Sequence, residues 1–266
     1  MHEVFALLRA SWLTASSYRL SWVISLGSLL LAVVPLYFVA NALQPVMADT
    51  IRTEGGQYFA FVLVGVVAYS FLGSAAESLP GAVGGGITTG TLEALLGTPT
   101  PIPVILAGLT SYRLCWTAAR AALLLSAGAL FGARLEWEQL PIALAILVLI
   151  ILAYLPVGLV AAALVLTFRT SGPLTKAVLT LSVLLGGVYY PTHVIPSWIE
   201  RISAVVPLTY GLRALRRTLL EGMPLSAVAA DVAILCVFVV VLLALGMVAF
   251  SAALRHARRA GTLGQY

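Results

Sequence analysis

The residues best placed to do chemistry are charges inside otherwise uncharged runs. Glu77, Arg113 and Arg120 stand in such segments. Arg113 and Arg120 are seven residues apart, so on a helix they share a face, with Arg120 about 10 Å further along the axis. A charge at that depth needs water, a counter-charge or a route to the headgroups. For Arg113 two readings stand: it snorkels to the interface, or it meets Glu77 near the end of the preceding apolar run. Arg120 either faces the bundle interior or a second copy, or snorkels as well.

Other chemistry is poorly supplied. A phosphate-cradling loop needs G-x-x-x-x-G followed by lysine. Gly85 and Gly90 have that spacing, but Thr91 stands in the lysine position, and Lys176 follows Ser-Gly-Pro-Leu-Thr. His2, His193 and His256 are isolated, without metal-ligand spacing. Asp49 and Asp231 are the only aspartates, and no nucleophile–base pair is suggested. No catalytic residue and no metal ligand is assigned, and the chain is not read as an enzyme.

The elements that position these charges follow from composition. The 266 residues are 61% hydrophobic and 9% charged, with a mean hydropathy of +1.04. A soluble domain carries about a quarter charged residues, so this chain belongs in a bilayer. The formal charge of +5 is spread along the chain without basic runs interleaved with aromatics, which points to lipid headgroups rather than nucleic acid. Cys115 and Cys236 lie in apolar runs and read as small core residues.

Charge-free intervals of about 20 residues or more suffice to cross about 30 Å of hydrocarbon. They predict spans near 21–42, 58–79, 141–167, 174–190 and 227–253, with a sixth at 104–132 carrying Arg113 and Arg120. Phe5, Leu8, Trp12 and Ala15 recur at helical spacing, so residues 1–20 read as a helix in the membrane interface, or else as an extension of the first span. With six spans both termini share one side. The tail Arg255, Arg258 and Arg259, with Arg169 and Lys176, places that side in the cytoplasm. Residues 80–103 are then cytoplasmic, and 43–57, 133–140 and 191–226 face outward. A cytoplasmic (inner) membrane location follows.

Pro80 and Gly81, Gly84, Gly85 and Gly86 are expected to end the second span. Thr91 is suited to cap a new helix with Glu93 in its first turn. Leu92, Leu95 and Leu96 form one apolar edge, and Gly97 and Pro99 stop it. A helix this short is unstable alone and needs a surface to dock on. On the other side, Ile195, Trp198, Ile199 and Ile202 form an apolar stripe after Pro196. Leu208, Leu212, Leu215 and Leu219 form another after Pro207, with Arg213, Arg216 and Arg217 together on a different face. The arginines are expected to meet headgroups or Glu200, Glu221 and Asp231. Such a pair either dips into the outer leaflet and returns or lies flat on it.

The stretch Gly90-Thr91-Leu92-Glu93-Ala94-Leu95-Leu96-Gly97-Thr98-Pro99 resembles the cytoplasmic segment of type-2 ATP-binding-cassette (ABC) transporter permeases. Gly187, Tyr190, Pro191, Pro196, Trp198, Pro207, Leu208, Thr209, Tyr210 and Arg213 match a second, downstream pattern of that family in the right order. The stretch Gly86-Ile87-Thr88-Thr89 departs from the charged residues common in that family before the first motif.

The resemblance implies an all-α membrane protein. It would be a single permease domain over 1–266 with six transmembrane helices, an N-terminal interfacial helix and a cytoplasmic coupling helix at 86–99. A re-entrant outer helical pair would occupy 191–224. It implies ATP and Mg in a separate ABC ATPase that contacts Gly90, Thr91, Leu92, Glu93, Leu95 and Leu96. It also implies a second permease copy or paralogue and an outer gate at Tyr190, Pro191, Pro196, Trp198, Pro207, Tyr210 and Arg213. Phe61, Tyr69, Phe71, Val183 and Tyr189 are pathway candidates by analogy. The expected activity is export of a hydrophobic or amphipathic molecule, such as a drug, lipid or glycolipid. A secondary transporter or a non-transporting assembly subunit are the alternatives. A secondary transporter would want carboxylates near the midplane, whereas Glu77 and Asp231 fall near span ends.

Overall fold

The computed structural model describes residues 19–91, 97, 101–168 and 172–259, and among these the chain forms helices and no strand. Eight α-helices follow one another: α1 Arg19–Met47, α2 Tyr58–Thr88, α3 Ile102–Leu130, α4 Leu140–Phe168, α5 Gly172–Gly186, α6 Ser197–Ser203, α7 Pro207–Glu221 and α8 Leu225–Arg259. Short 3-10 turns occupy Arg52–Glu54, Trp137–Gln139 and Thr192–Val194.

The central helix is α4, packed lengthwise between α2 and α8. Its uninterrupted apolar sequence suits burial on several sides. Close approach to α2 depends on Gly158, where a Cβ would stand 2.8 Å from the Ala75 carbonyl oxygen. The helix α3 lies against α2, and α1 packs on both. Phe59, Leu63, Leu72, Ile146, Ile150, Leu208, Leu212 and Leu235 form the main core. Leu79, Val83, Leu159, Phe250 and Leu254 form a smaller one further along α2, α4 and α8. Apolar side chains also face outward, as Val237, Val240, Leu245 and Val248 do on α8. That suits a surface solvated by lipid tails. It also corrects the expectation for Cys115 and Cys236, which are both exposed on that surface rather than in the core.

Among the described residues, three segments are long and apolar enough to cross a membrane: Tyr58–Thr88, Trp137–Val165 and Leu225–His256. Pro173–Gly186 is apolar but short, and α3 carries its two arginines. The chain is therefore a helical membrane protein. The predicted fifth span is shortened because the backbone turns at Gly187, which has a φ of +78°.

One boundary differs more. Residues 80–88 do not leave helix geometry, and α2 runs through Pro80 and the glycines to Thr88. Leu79, Pro80 and Val83 are buried, and Val83 packs in the smaller core, so tertiary packing outweighs the weak local propensity. The helix ends about two and a half turns later than expected. The Thr89 amide donates to Gly85 O at 3.1 Å, the Gly90 amide donates to Ile87 O at 3.1 Å, and Gly90 takes a φ of +69°. Gly90 is thus a helix terminator, and residues 86–88 belong to α2 rather than to a coupling helix. Leu92, Glu93, Leu95 and Leu96, the interfacial helix expected over residues 1–20 as far as it precedes Arg19, residues 169–171 and the tail beyond Arg259 lie outside the described residues.

Candidate functional site

Two places in the bundle gather polar side chains. The first closes the end where residues 48–57, 131–139 and 187–206 meet. Here α7 lies over α2, α4 and α8. Its stripe Leu208, Leu212, Leu215 and Leu219 is 0–5% exposed and is seated in the main core. The loops around it are tied by side chains. Gln44 Nε2 donates to Gly56 O at 2.9 Å, and Gln57 Nε2 donates to Gly132 O at 2.8 Å. The Glu136 amide donates to Leu219 O at 2.8 Å. The Tyr58 hydroxyl donates to Tyr189 O at 2.9 Å.

Arg216 is the pin of this lid. It is 2% exposed, and it does not join Arg213 and Arg217 on a polar face as the sequence suggested. Its Nε donates to Phe61 O at 3.3 Å. Its Nη1 donates to Gly187 O at 2.9 Å and Glu54 Oε2 at 3.3 Å, and its Nη2 donates to Val188 O at 2.9 Å. The guanidinium carbon lies 3.3 Å from the Phe61 ring centroid. One planar fork thus joins α7 to α2, to the turn after α5 and to the 52–54 turn, as only arginine geometry allows. Burial pulls its pKa down to about 10, opposed by Glu54, so it remains a cation at neutral pH. A buried charge without these partners would be costly. The approach requires Gly65, where a Cβ would stand 2.4 Å from Val188 O and 3.0 Å from Arg216 Nη2.

Arg213 takes the role the sequence gave the whole trio. Its Nε lies 3.0 Å from both carboxylate oxygens of buried Asp231 on α8. The hydrogen bond to Asp231 raises the Arg213 pKa, partly opposed by burial. The Tyr210 ring lies beneath it at 5.4 Å and packs on Phe238, and the Tyr210 hydroxyl donates to Ala204 O at 3.0 Å. Pro207 starts α7 and is buried, Pro196 precedes α6, Pro191 is buried, and Tyr190 bonds to Leu184 O. In the α6 stripe Trp198 and Ile202 are exposed at 65% and 47%. Its apolar face points away from this chain's own core.

The second place is a cavity of about 640 Å³ between α2, α3 and α5. Glu77, Arg113, Arg120 and Tyr69 line it together, with Ser70, Trp116 and Leu179. Ser74 and Thr117 share a hydrogen bond of 2.5 Å across its wall. Glu77 and Arg113 face the same space, yet they make no ion pair among the described residues. The other pathway candidates lie elsewhere. Phe61 is under Arg216, Phe71 is buried in the main core, and Val183 packs against that core. Tyr189 lines a smaller apolar pocket with Pro35, Val39 and Tyr58. Helical phase sends Tyr69 to the cavity and Phe61 and Phe71 inward.

Glu54 and Gly65 are not singled out by the sequence, and Arg216 is grouped there with Arg213 and Arg217. A signal existed for Arg216. It stands four after Leu212 and three before Leu219, so it lies on the apolar face of α7 rather than beside Arg213.

The described residues form a helical membrane bundle closed at one end, with a polar-lined cavity between α2, α3 and α5. Residues 2–220 match the ABC-2 type transporter family, and the chain belongs to that family as a membrane-embedded permease. Curated relatives include Nodulation protein J of Rhizobium leguminosarum bv. viciae, 28% identical over 194 residues, covering 71% of this chain and 73% of the relative. Nodulation protein J of Rhizobium meliloti (strain 1021) is likewise 28% identical, over 71% of this chain and 72% of the relative. That of Bradyrhizobium diazoefficiens is 29% identical over 193 residues, covering 71% of this chain and 72% of the relative.

Proposed function

We propose that the chain is one permease subunit of an ATP-driven exporter that moves a hydrophobic or amphipathic molecule outward across the cytoplasmic membrane. A single permease domain of six spans, with both termini inside, pairs with a second copy or a paralogue. Two separate ABC ATPase subunits bind and hydrolyse ATP with Mg. The observation that carries this reading is the family match over residues 2–220.

In this reading α2 is the mechanical link. It runs without a break from the Arg216 pin at Phe61 and Gly65 to its terminator at Gly90. Residues 90–96 form the coupling element on the ATPase, and a push there travels along a rigid helix to the outer lid. The cavity at Glu77, Arg113 and Arg120 borders the same helix between the two ends. The lid of α6 and α7 acts as the outer gate, with Trp198 and Ile202 in lipid.

The test is co-purification. The full chain, extracted from membranes, is expected to bring its ATPase with it. The Leu92→Ser, Glu93→Gln, Leu96→Ser variant is expected to reach the membrane and lose the ATPase. Full retention of the ATPase by that variant contradicts the assignment of the coupling element.

A further inference from the structure

The ion pairs among the described residues are Arg52–Asp49, Arg213–Asp231 and Arg216–Glu54. Arg113 and Arg120 have no carboxylate partner there, although they straddle the middle of the 29-residue α3 with Trp116 between them. Each guanidinium is rooted about 15 Å or more from either end of the helix. With α3 as one of the six proposed spans, that depth is unfavourable for a bare cation and marks a functional site by default. Both arginines face the 640 Å³ cavity, whose only acid among the described residues is Glu77. Its size falls within the range of small-molecule pockets.

The cavity wall is divided by chemistry. Arg113 and Arg120 offer fixed forks suited to phosphate oxygens. Tyr69 and Ser70 add hydroxyls, while Val66, Leu124 and Leu179 provide an apolar wall. Two cations and one carboxylate leave a single net positive charge. That balance suits a monoanion, and Glu77 disfavours anions of higher charge. A soluble anion would leave the apolar wall unused.

We propose that this cavity binds an amphiphile with a monoanionic phosphodiester headgroup. Arg113 and Arg120 hold the phosphodiester, Tyr69 and Ser70 meet headgroup hydroxyls, and the first part of the tail lies along Val66, Leu124 and Leu179. This deepens the transport reading and rests on it for the use made of the ligand, but the binding itself needs neither ATP nor ATPase.

The experiment is equilibrium binding of radiolabelled dioctanoylphosphatidylglycerol to the full chain in phosphatidylcholine nanodiscs. Unlabelled dioctanoylglycerol and glycerol 3-phosphate serve as competitors. Wild type is expected to bind the phospholipid at least tenfold more tightly than either competitor. Arg113→Gln with Arg120→Gln is expected to weaken binding at least tenfold, and Glu77→Gln to tighten it severalfold. Unchanged binding in the double variant overturns the proposal, as does equal affinity for dioctanoylglycerol. Equal affinity for glycerol 3-phosphate overturns it too, since that is a soluble-anion site. If the double variant does not fold, Glu77→Gln decides: tighter binding supports the proposal, and unchanged or weaker binding overturns it. With no ATPase present, a failure here leaves the co-purification test standing, and a failure there leaves this one standing.

Discussion

Replacing Arg216 with methionine keeps much of the side-chain bulk and removes the charge and every donor. Glu54, with a side chain 14% exposed, then loses its cation, and the carbonyls of Phe61, Gly187 and Val188 lose their donors. Breaking a buried ion pair from one side costs about 3–5 kcal/mol, because the remaining charge stays buried and unpaired. The orphaned carbonyls add to this, but they rehydrate if the lid lifts, so the range is kept. Since about 1.4 kcal/mol is tenfold, local opening of the lid should rise about 100- to 5,000-fold. Hydrogen exchange in nanodiscs reads this directly at the amides of 208–219 and 187–190, with α4 amides as internal reference. Glu54→Gln added to the variant should recover part of the loss, because it removes the stranded carboxylate. Exchange at wild-type rates in Arg216→Met would refute the view that this guanidinium holds the lid.

Gly65→Ala should destabilise by about 1–3 kcal/mol as overpacking against backbone, since its Cβ meets Val188 O at 2.4 Å. Gly81→Ala, with nothing within 4 Å, should instead gain about 0.5–1 kcal/mol as a helix-interior change, and both are read by thermal unfolding in detergent. Arg213→Ala should lower the melting temperature more than Asp231→Ala. The first strands a carboxylate only 8% exposed, whereas the second frees a guanidinium already 48% exposed to turn to the surface. Burial raises the Glu221 pKa, opposed by Arg217 and the Gly55 backbone. A raised carboxylate stabilises the fold below its unfolded pKa and loses that contribution as pH rises through the folded value. Glu221→Gln should therefore melt higher than wild type at pH 7–8, with the difference closing toward about pH 4, near the ordinary glutamate value.

Much of the fold was legible because hydrophobic length and periodicity are one-dimensional signals. The leucine stripe of α7, the proline starts of α6 and α7, and the shared face of Arg113 and Arg120 all follow from spacing. The continuation of α2 through Pro80 and the glycines did not. Local propensity argues against it, and only the packing of Val83 and Gly84 near Val165 maintains it. Glu54 and Gly65 gave no readable signal. Their roles appear only when residues more than 150 positions away fold back onto them. Three neighbouring arginines look like one charged face, but Arg216 also stands four after Leu212 and three before Leu219, which brings it to the edge of the buried leucine stripe. The exposed stripe of α6 shows the converse: in a bilayer an apolar periodicity marks a lipid face as readily as a core face.

Under the proposed function, this chain moves its cargo only when driven by a separate nucleotide-hydrolysing subunit docked at residues 90–96. The most direct test is uptake of a fluorescent phosphodiester amphiphile into inside-out vesicles containing the chain, with and without the ATPase subunit and ATP. Uptake is expected only when chain, ATPase and ATP are all present. Uptake that persists at the same rate with the chain alone would contradict it.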